Sequence, residues 1–176
     1  MKKIFLGLAL TFSLLATAQT KSYVSQVDAV LRNNGTVTYY NNVLDKLFNL
    51  LKDNYASQNV TDGVWKELEA VKPLALDNLV ELVATAYLPL FTEEDVRHMN
   101  NFYSSELGKG MFTKQILSPE ESKALESFYQ TETGNKIVIN QETLNASMQN
   151  ISQNWTGNLY LQMVDNLEAK GYLKVN

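Results

Sequence analysis

Apolar residues in this chain recur at steps of three and four and seldom alternate, which is the period of an α-helix. Tyr23, Val24, Val27, Val30 and Leu31 put one such stripe on a helix over Ser22–Arg32. "NNG", Asn33 to Gly35, closes it, because Asn and Gly tolerate the left-handed backbone of a helix end. A second stripe, Tyr40, Val43, Leu44, Leu47, Phe48, Leu51 and Tyr55, predicts a helix capped by Thr36 or Thr38. Ser57–Gly63 reads as a loop. Val64, Trp65, Leu68 and Val71 mark a third helix, starting near Thr61 or Asp62 and ending or kinking at Pro73. A fourth, from about Ala75 to Leu88, turns Leu76, Leu79, Val80, Val83 and Tyr87 inward. The last stripe is the longest: Leu144, Met148, Ile151, Trp155, Leu159, Met163 and Leu167, with Gly171 as its stop. "NKIVIN", Asn135 to Asn140, also resembles a strand, but it runs straight into helical spacing and is read as helix. The predicted fold is all-α, a compact antiparallel bundle of about six to seven helices.

Between the fourth and last stripes a unit occurs twice, offset by 26 residues: "FTEEDVRHMNNFYSSELGK" from Phe91 and "LSPEESKALESFYQTETGN" from Leu117. Thr92 and Ser118 sit where a side-chain oxygen caps a helix, and acids fill the first turn beside the positive end of the helix dipole. Pro119 suits the first helical position, where its missing N–H breaks no bond. Met99 matches Leu125, Phe102 matches Phe128, Tyr103 matches Tyr129, Glu106 matches Glu132 and Gly108 matches Gly134. The spacing reads as cap, apolar stripe, inward aromatic pair and a glycine reversal that ends the helix, with both glutamates on last turns. The two repeat helices and the C-terminal helix are expected at the centre of the bundle. Lys109–Ile116 reads as a further short helical piece.

"YLPLFTEEDVRHMNNFYSSELGKGM", Tyr87 to Met111, resembles the signature of a bacterial family called domain of unknown function 2059. The matching positions are Phe91, Thr92, Glu93, Glu94, Phe102, Tyr103, Ser105, Gly108 and Lys109; Glu106 stands where the family often has Pro. The resemblance covers about residues 76–139. It implies a small exported helical protein, and it brings no activity and no catalytic residues.

Composition adds a destination. Lys2 and Lys3, the apolar run Ile4–Leu15 and the small residues Ala16–Ala18 have the order of a secretory signal peptide, too short to span a bilayer at about 20 residues. Cleavage is expected after Ala18, leaving residues 19–176 as one helical domain in the periplasm or outside the cell. The remaining chain holds 13 basic and 19 acidic residues, a net charge of −6, which argues against a nucleic-acid partner. There is no cysteine, so neither a disulfide framework nor a zinc–thiolate centre is available. Five Asn-x-Ser/Thr triplets, at Asn34, Asn59, Asn145, Asn150 and Asn154, are expected to be unglycosylated.

Candidate chemistry is thin. Glu106 and Glu132 recur in the repeat, and two carboxylates could split acid and base roles in an envelope-polymer hydrolase, but their positions read as surface. Glu93, Glu94 and Asp95 are explained by the helix dipole. His98 is the only histidine and lacks a metal-ligand pattern around it. Ser104 and Ser105 have no nucleophile-elbow context, and "GKG" at Gly108–Gly110 is too short for a phosphate loop. No catalytic residue, cofactor or metal ligand is assigned. The outer face of the last helix, with Asn145, Gln149, Gln153 and Asn158, is polar and weakly charged, and suits a protein partner or a second copy of the chain. The leading expectation is a non-enzymatic exported interaction protein; the alternative is a carrier for a small apolar ligand held between helices.

Overall fold

The computed structural model of the protein describes residues 20–111 and 116–173, and all regular structure among these residues is helical. The order is α1 (20–33), α2 (Thr36–Asn54), a 3₁₀ turn (Ala56–Gln58), α3 (Asp62–Glu69), α4 (Lys72–Tyr87), α5 (Glu93–Ser104), α6 (Glu106–Gly110), α7 (Pro119–Tyr129), α8 (Glu132–Ile139) and α9 (Gln141–Ala169). The expected signal segment 1–18 and part of the Lys109–Ile116 piece lie outside the described residues.

The stripes land where their periods put them. Val27, Val30 and Leu31 of α1, Leu44, Phe48 and Leu51 of α2, Leu79 and Val83 of α4 and Leu159, Met163 and Leu167 of α9 are buried together with Val96 and Met99 of α5. Trp155 pins three of these helices: its indole N–H donates to the Ala75 carbonyl at 3.1 Å, and its ring meets Tyr40 edge-on at 5.6 Å. Tyr23 ties α1 to the start of α5 by donating to the Phe91 carbonyl at 2.9 Å. The centre is therefore α1, α2, α4 and α9, with the first half of α5. The second repeat helix, α7, buries no residue, because its apolar positions are few and face its own corner. The expectation that both repeat helices occupy the centre is corrected on that point.

The starts of the two repeat helices follow the cap chemistry. Thr92 and Ser118 each accept from the backbone N–H three residues on, and Asp95 and Glu121 each reach back to the cap's own N–H, at 2.9 Å in both cases. For α2 neither Thr36 nor Thr38 caps. Gly35, at φ 78°, occupies the cap position, and the Asn34 side chain accepts from the Thr36 N–H at 3.0 Å. Pro73 enters the first turn of α4 instead of breaking α3 from within.

The repeated aromatic–glycine unit is a corner, not a helix stop. Ser105 ends α5 and caps α6; Thr131 lies between α7 and α8 and caps α8. Each hydroxyl donates back to the Phe carbonyl of its unit, at 2.6 Å to Phe102 and 2.7 Å to Phe128. Each also accepts from the glycine N–H, at 3.1 Å in both. Neither glycine has positive φ. What they supply is closeness: a Cβ on Gly108 would stand 2.2 Å from the Phe102 carbonyl oxygen, and one on Gly134 would stand 2.1 Å from that of Phe128. Glycine lets the second helix turn back directly over the last turn of the first. Glu106 and Glu132 accordingly open α6 and α8; they are first-turn residues facing the positive dipole end, not last-turn residues.

Candidate functional site

The two corners meet each other. Phe102 and Phe128, the same position in each copy, stack face to face at 3.7 Å between centroids and 6° between planes. Contact between equivalent residues is what a two-fold relation produces, so the duplication is spatial as well as sequential. Phe102, Phe128 and Tyr129 thus bury themselves largely on the corners, half-exposed, while Tyr103 also packs against the main core.

A cleft of about 810 Å³ lies beside the stack, lined by Asp95, His98, Phe102, Phe128, Glu132 and Lys136 among others. Most of its polar groups are already engaged. Asp95 is 3% exposed and accepts from Lys136 Nζ at 2.9 Å, from Thr133 Oγ1 at 3.0 Å and from the Thr92 hydroxyl at 2.7 Å. Burial by itself would raise the Asp95 carboxyl, but hydrogen bonds from Thr92, Lys136 and Thr133 outweigh it and hold it at about 2. Lys136 is pushed up by its bonds to Asp95 and Glu132. His98 Nδ1 lies 3.2 Å from Thr133 Oγ1, and its Nε2 lies 3.6 Å from Glu94. The network joins α5 to α8 and is closed on itself. Sequence reading placed Asp95 with the dipole acids and missed this bond to α8, which lies about forty residues on.

The carboxylate pair does not assemble. The Glu106 side chain is fully exposed beside Lys109 at 4.0 Å, while Glu132 is 85% exposed and bonded to Lys136 at 3.0 Å. Ser105 spends its hydroxyl on the corner, and Ser104 donates to the Asn101 carbonyl.

A larger feature runs along the seam of α4 and α9, the most extensive helix pairing in the fold. It is a groove of about 1040 Å³. Buried Leu68, Ala75, Trp155, Leu159 and Met163 form its floor. Val71, Leu74 and Leu82 of the α4 side remain exposed, Leu74 at 73%. The α9 wall is a row of amides four residues apart: Asn150, Asn154, Asn158, Gln162 and Asn166. Among the described residues the first four side chains have no hydrogen-bond partner, and the shielded Asn166 Oδ1 has none either. Of the expected polar face, only Asn158 lines the groove; Asn145, Gln149 and Gln153 are exposed elsewhere on the helix. The signal for the row was present in the sequence. Each amide directly precedes a residue of the apolar seam 151–155–159–163–167, about 100° around the helix from it, and so flanks whatever the seam packs on.

A family model described as an uncharacterized protein conserved in bacteria (DUF2059) matches residues 77–116 and 114–159. Each stretch contains one copy of the corner. No curated protein and no solved structure matches the chain.

Proposed function

Residues 77–159 match the bacterial DUF2059 family, and from that premise, which brings no activity with it, we propose that this chain is a non-enzymatic exported protein that binds a protein partner. The observation carrying this reading is the α4–α9 groove, where unpartnered amides stand over an apolar floor edged by exposed Val71, Leu74 and Leu82. Exposed leucines rimmed by polar groups are the surface type that associates. Export is supported by the order of charge, apolar run and small residues over 1–18. No helix among the described residues is long and apolar enough to cross a membrane. A photo-crosslinking residue at position 158, compared with one at position 142 on the same helix, tests the reading in cells that export the protein. A discrete protein adduct from 158 alone is expected. Equal labelling from both positions, or none, overturns it.

One observation favours a second reading, a carrier of a small apolar ligand. A cleft of about 640 Å³ between α1, the end of α4 and the start of α5 has Val24, Leu88, Pro89 and Phe91 in its walls and Lys136 at its edge. Displacement of a lipophilic dye by a fatty acid, lost on Val24→Trp, tests it; a dye signal that no fatty acid displaces counts against it.

A further inference from the structure

The amide row has a repeat, and the repeat identifies the occupant. Four helical residues advance about 6 Å along the axis, and two residues of an extended peptide advance about 6.6–6.8 Å. Over the three steps from Asn150 to Gln162 the difference grows to about 2 Å, or about 1 Å at either end of a centred segment, so successive carboxamides meet successive peptide units of the same facing edge. A carboxamide offers both a donor and an acceptor, which is the complement of one backbone C=O and one N–H. An edge read this way gives affinity without demanding a side-chain sequence.

Charge supplies the second constraint. Among the described residues, the only charged ones lining the groove are Asp77 and Glu81, both on α4 and both exposed. No described Lys or Arg lines it; Arg32 is near enough to Asp77 for the two charges to interact but is engaged by Asp28 at 2.9 Å. The acids also stand four residues apart, so basic side chains two residues apart on an extended chain meet both.

Resting on the interaction reading above, we propose that the groove takes an extended segment of a partner protein, basic at alternate positions, with its backbone held by Asn150, Asn154, Asn158 and Gln162. Apolar side chains of the opposite register settle against Leu74 and Leu82.

Fluorescence anisotropy with a labelled Lys-Val-Lys-Val-Lys-Val-Lys-Val peptide and the purified protein tests this. The same peptide N-methylated on its valines, a Glu-Val octapeptide and an N-acetylglucosamine hexamer are the comparison probes. N-methylation and the double variant Asn154→Ala/Asn158→Ala are each expected to weaken binding by about tenfold or more, since each removes two or more hydrogen bonds. Glu81→Gln is expected to weaken it by about threefold, and the Glu-Val peptide should not bind. The substituted side chains are exposed, so an unchanged unfolding midpoint shows the fold intact. Equal binding of the N-methylated peptide, wild-type binding by the Asn double variant, or no peptide binding overturns the proposal. Binding of the oligosaccharide alone overturns it as well while leaving the groove as an interaction site. Failure of the crosslink at position 158 would remove the groove reading itself.

Discussion

Replacing Gly134 by Ala should damage the protein even though it improves helix propensity. The new Cβ would stand 2.1 Å from the Phe128 carbonyl oxygen and 2.5 Å from the Tyr129 Cα, where ordinary contact begins near 3.4 Å. Either α8 or the last turn of α7 must retreat by about an ångström. That retreat strains the Thr131 hydroxyl bond to Phe128 at 2.7 Å and the Gly134 N–H bond to Thr131 at 3.1 Å. Overpacking of this kind costs about 1–3 kcal/mol, and weakening two hydrogen bonds adds up to roughly 1 kcal/mol each. Alanine returns about 1 kcal/mol of propensity. The expected net loss is about 2 kcal/mol, a fall in Tm of roughly 4–8 °C for a chain of this size. Gly157→Ala is the internal control. It lies within α9 with nothing within 4 Å of its Cβ position, so it should gain about 0.5–1 kcal/mol. Urea unfolding of the two variants measures both. Gly134→Asn separates closeness from helix stopping: a left-handed stop tolerates Asn, whereas a close approach makes it at least as harmful as Ala. Parallel stabilisation of Gly134→Ala and Gly157→Ala, or a harmless Asn, would refute the corner geometry.

Other expectations follow from the same contacts. Asp95 is held at about 2, below its ordinary value of 3.8. A lowered folded value means its contribution of roughly 2 kcal/mol is full above about pH 4 and is lost as pH falls toward 2. Asp95→Asn should therefore lower stability at pH 7 and flatten the acid limb of the stability curve, as urea midpoints from pH 2 to 7 would show. Trp155→Phe keeps a ring against Tyr40 but drops the bond to the Ala75 carbonyl; a loss of about 1–2 kcal/mol is expected by thermal unfolding, and about 3–5 kcal/mol for Trp155→Ala. A double-mutant cycle on Phe102→Leu and Phe128→Leu should return a coupling of about 0.5 kcal/mol, the low end for aromatic pairs, because near-eclipsed rings are the less favourable stacking geometry. Glu106→Gln should move the midpoint by less than about 0.5 kcal/mol, as an exposed residue outside any network. A larger effect would point to a role for that carboxylate which its exposure does not explain.

The helices and most of their inward faces were legible because each is set by residues within a few positions of one another. The Thr92 and Ser118 caps are examples: oxygen, acid and backbone N–H lie within three residues, and both capping boxes form. The α2 cap was misplaced because Asn34, two residues before Thr36, takes the Thr36 N–H itself. The glycines were misread for a different reason. A glycine required by positive φ and one required by close approach look the same in a sequence. Gly35 and Gly171 are of the first kind, and Gly108 and Gly134 are of the second. The amide row of α9 was visible as a spacing, but which side of that helix meets α4 was not.

What the sequence determined by itself is the all-α class, the capped starts of α5 and α7, the seam of α9 and the existence of a duplicated unit. Those depend on local periods and on hydrogen bonds between near neighbours. What only the tertiary structure decided is the use of these parts. It stacked Phe102 on Phe128, bound Asp95 to Lys136 across α5 and α8, left α7 outside the core, and placed the unpartnered amides of α9 beside α4. Each of these is a contact between residues far apart in the chain. Such contacts follow from which apolar faces bury one another best, and that is a property of all the helices packed together.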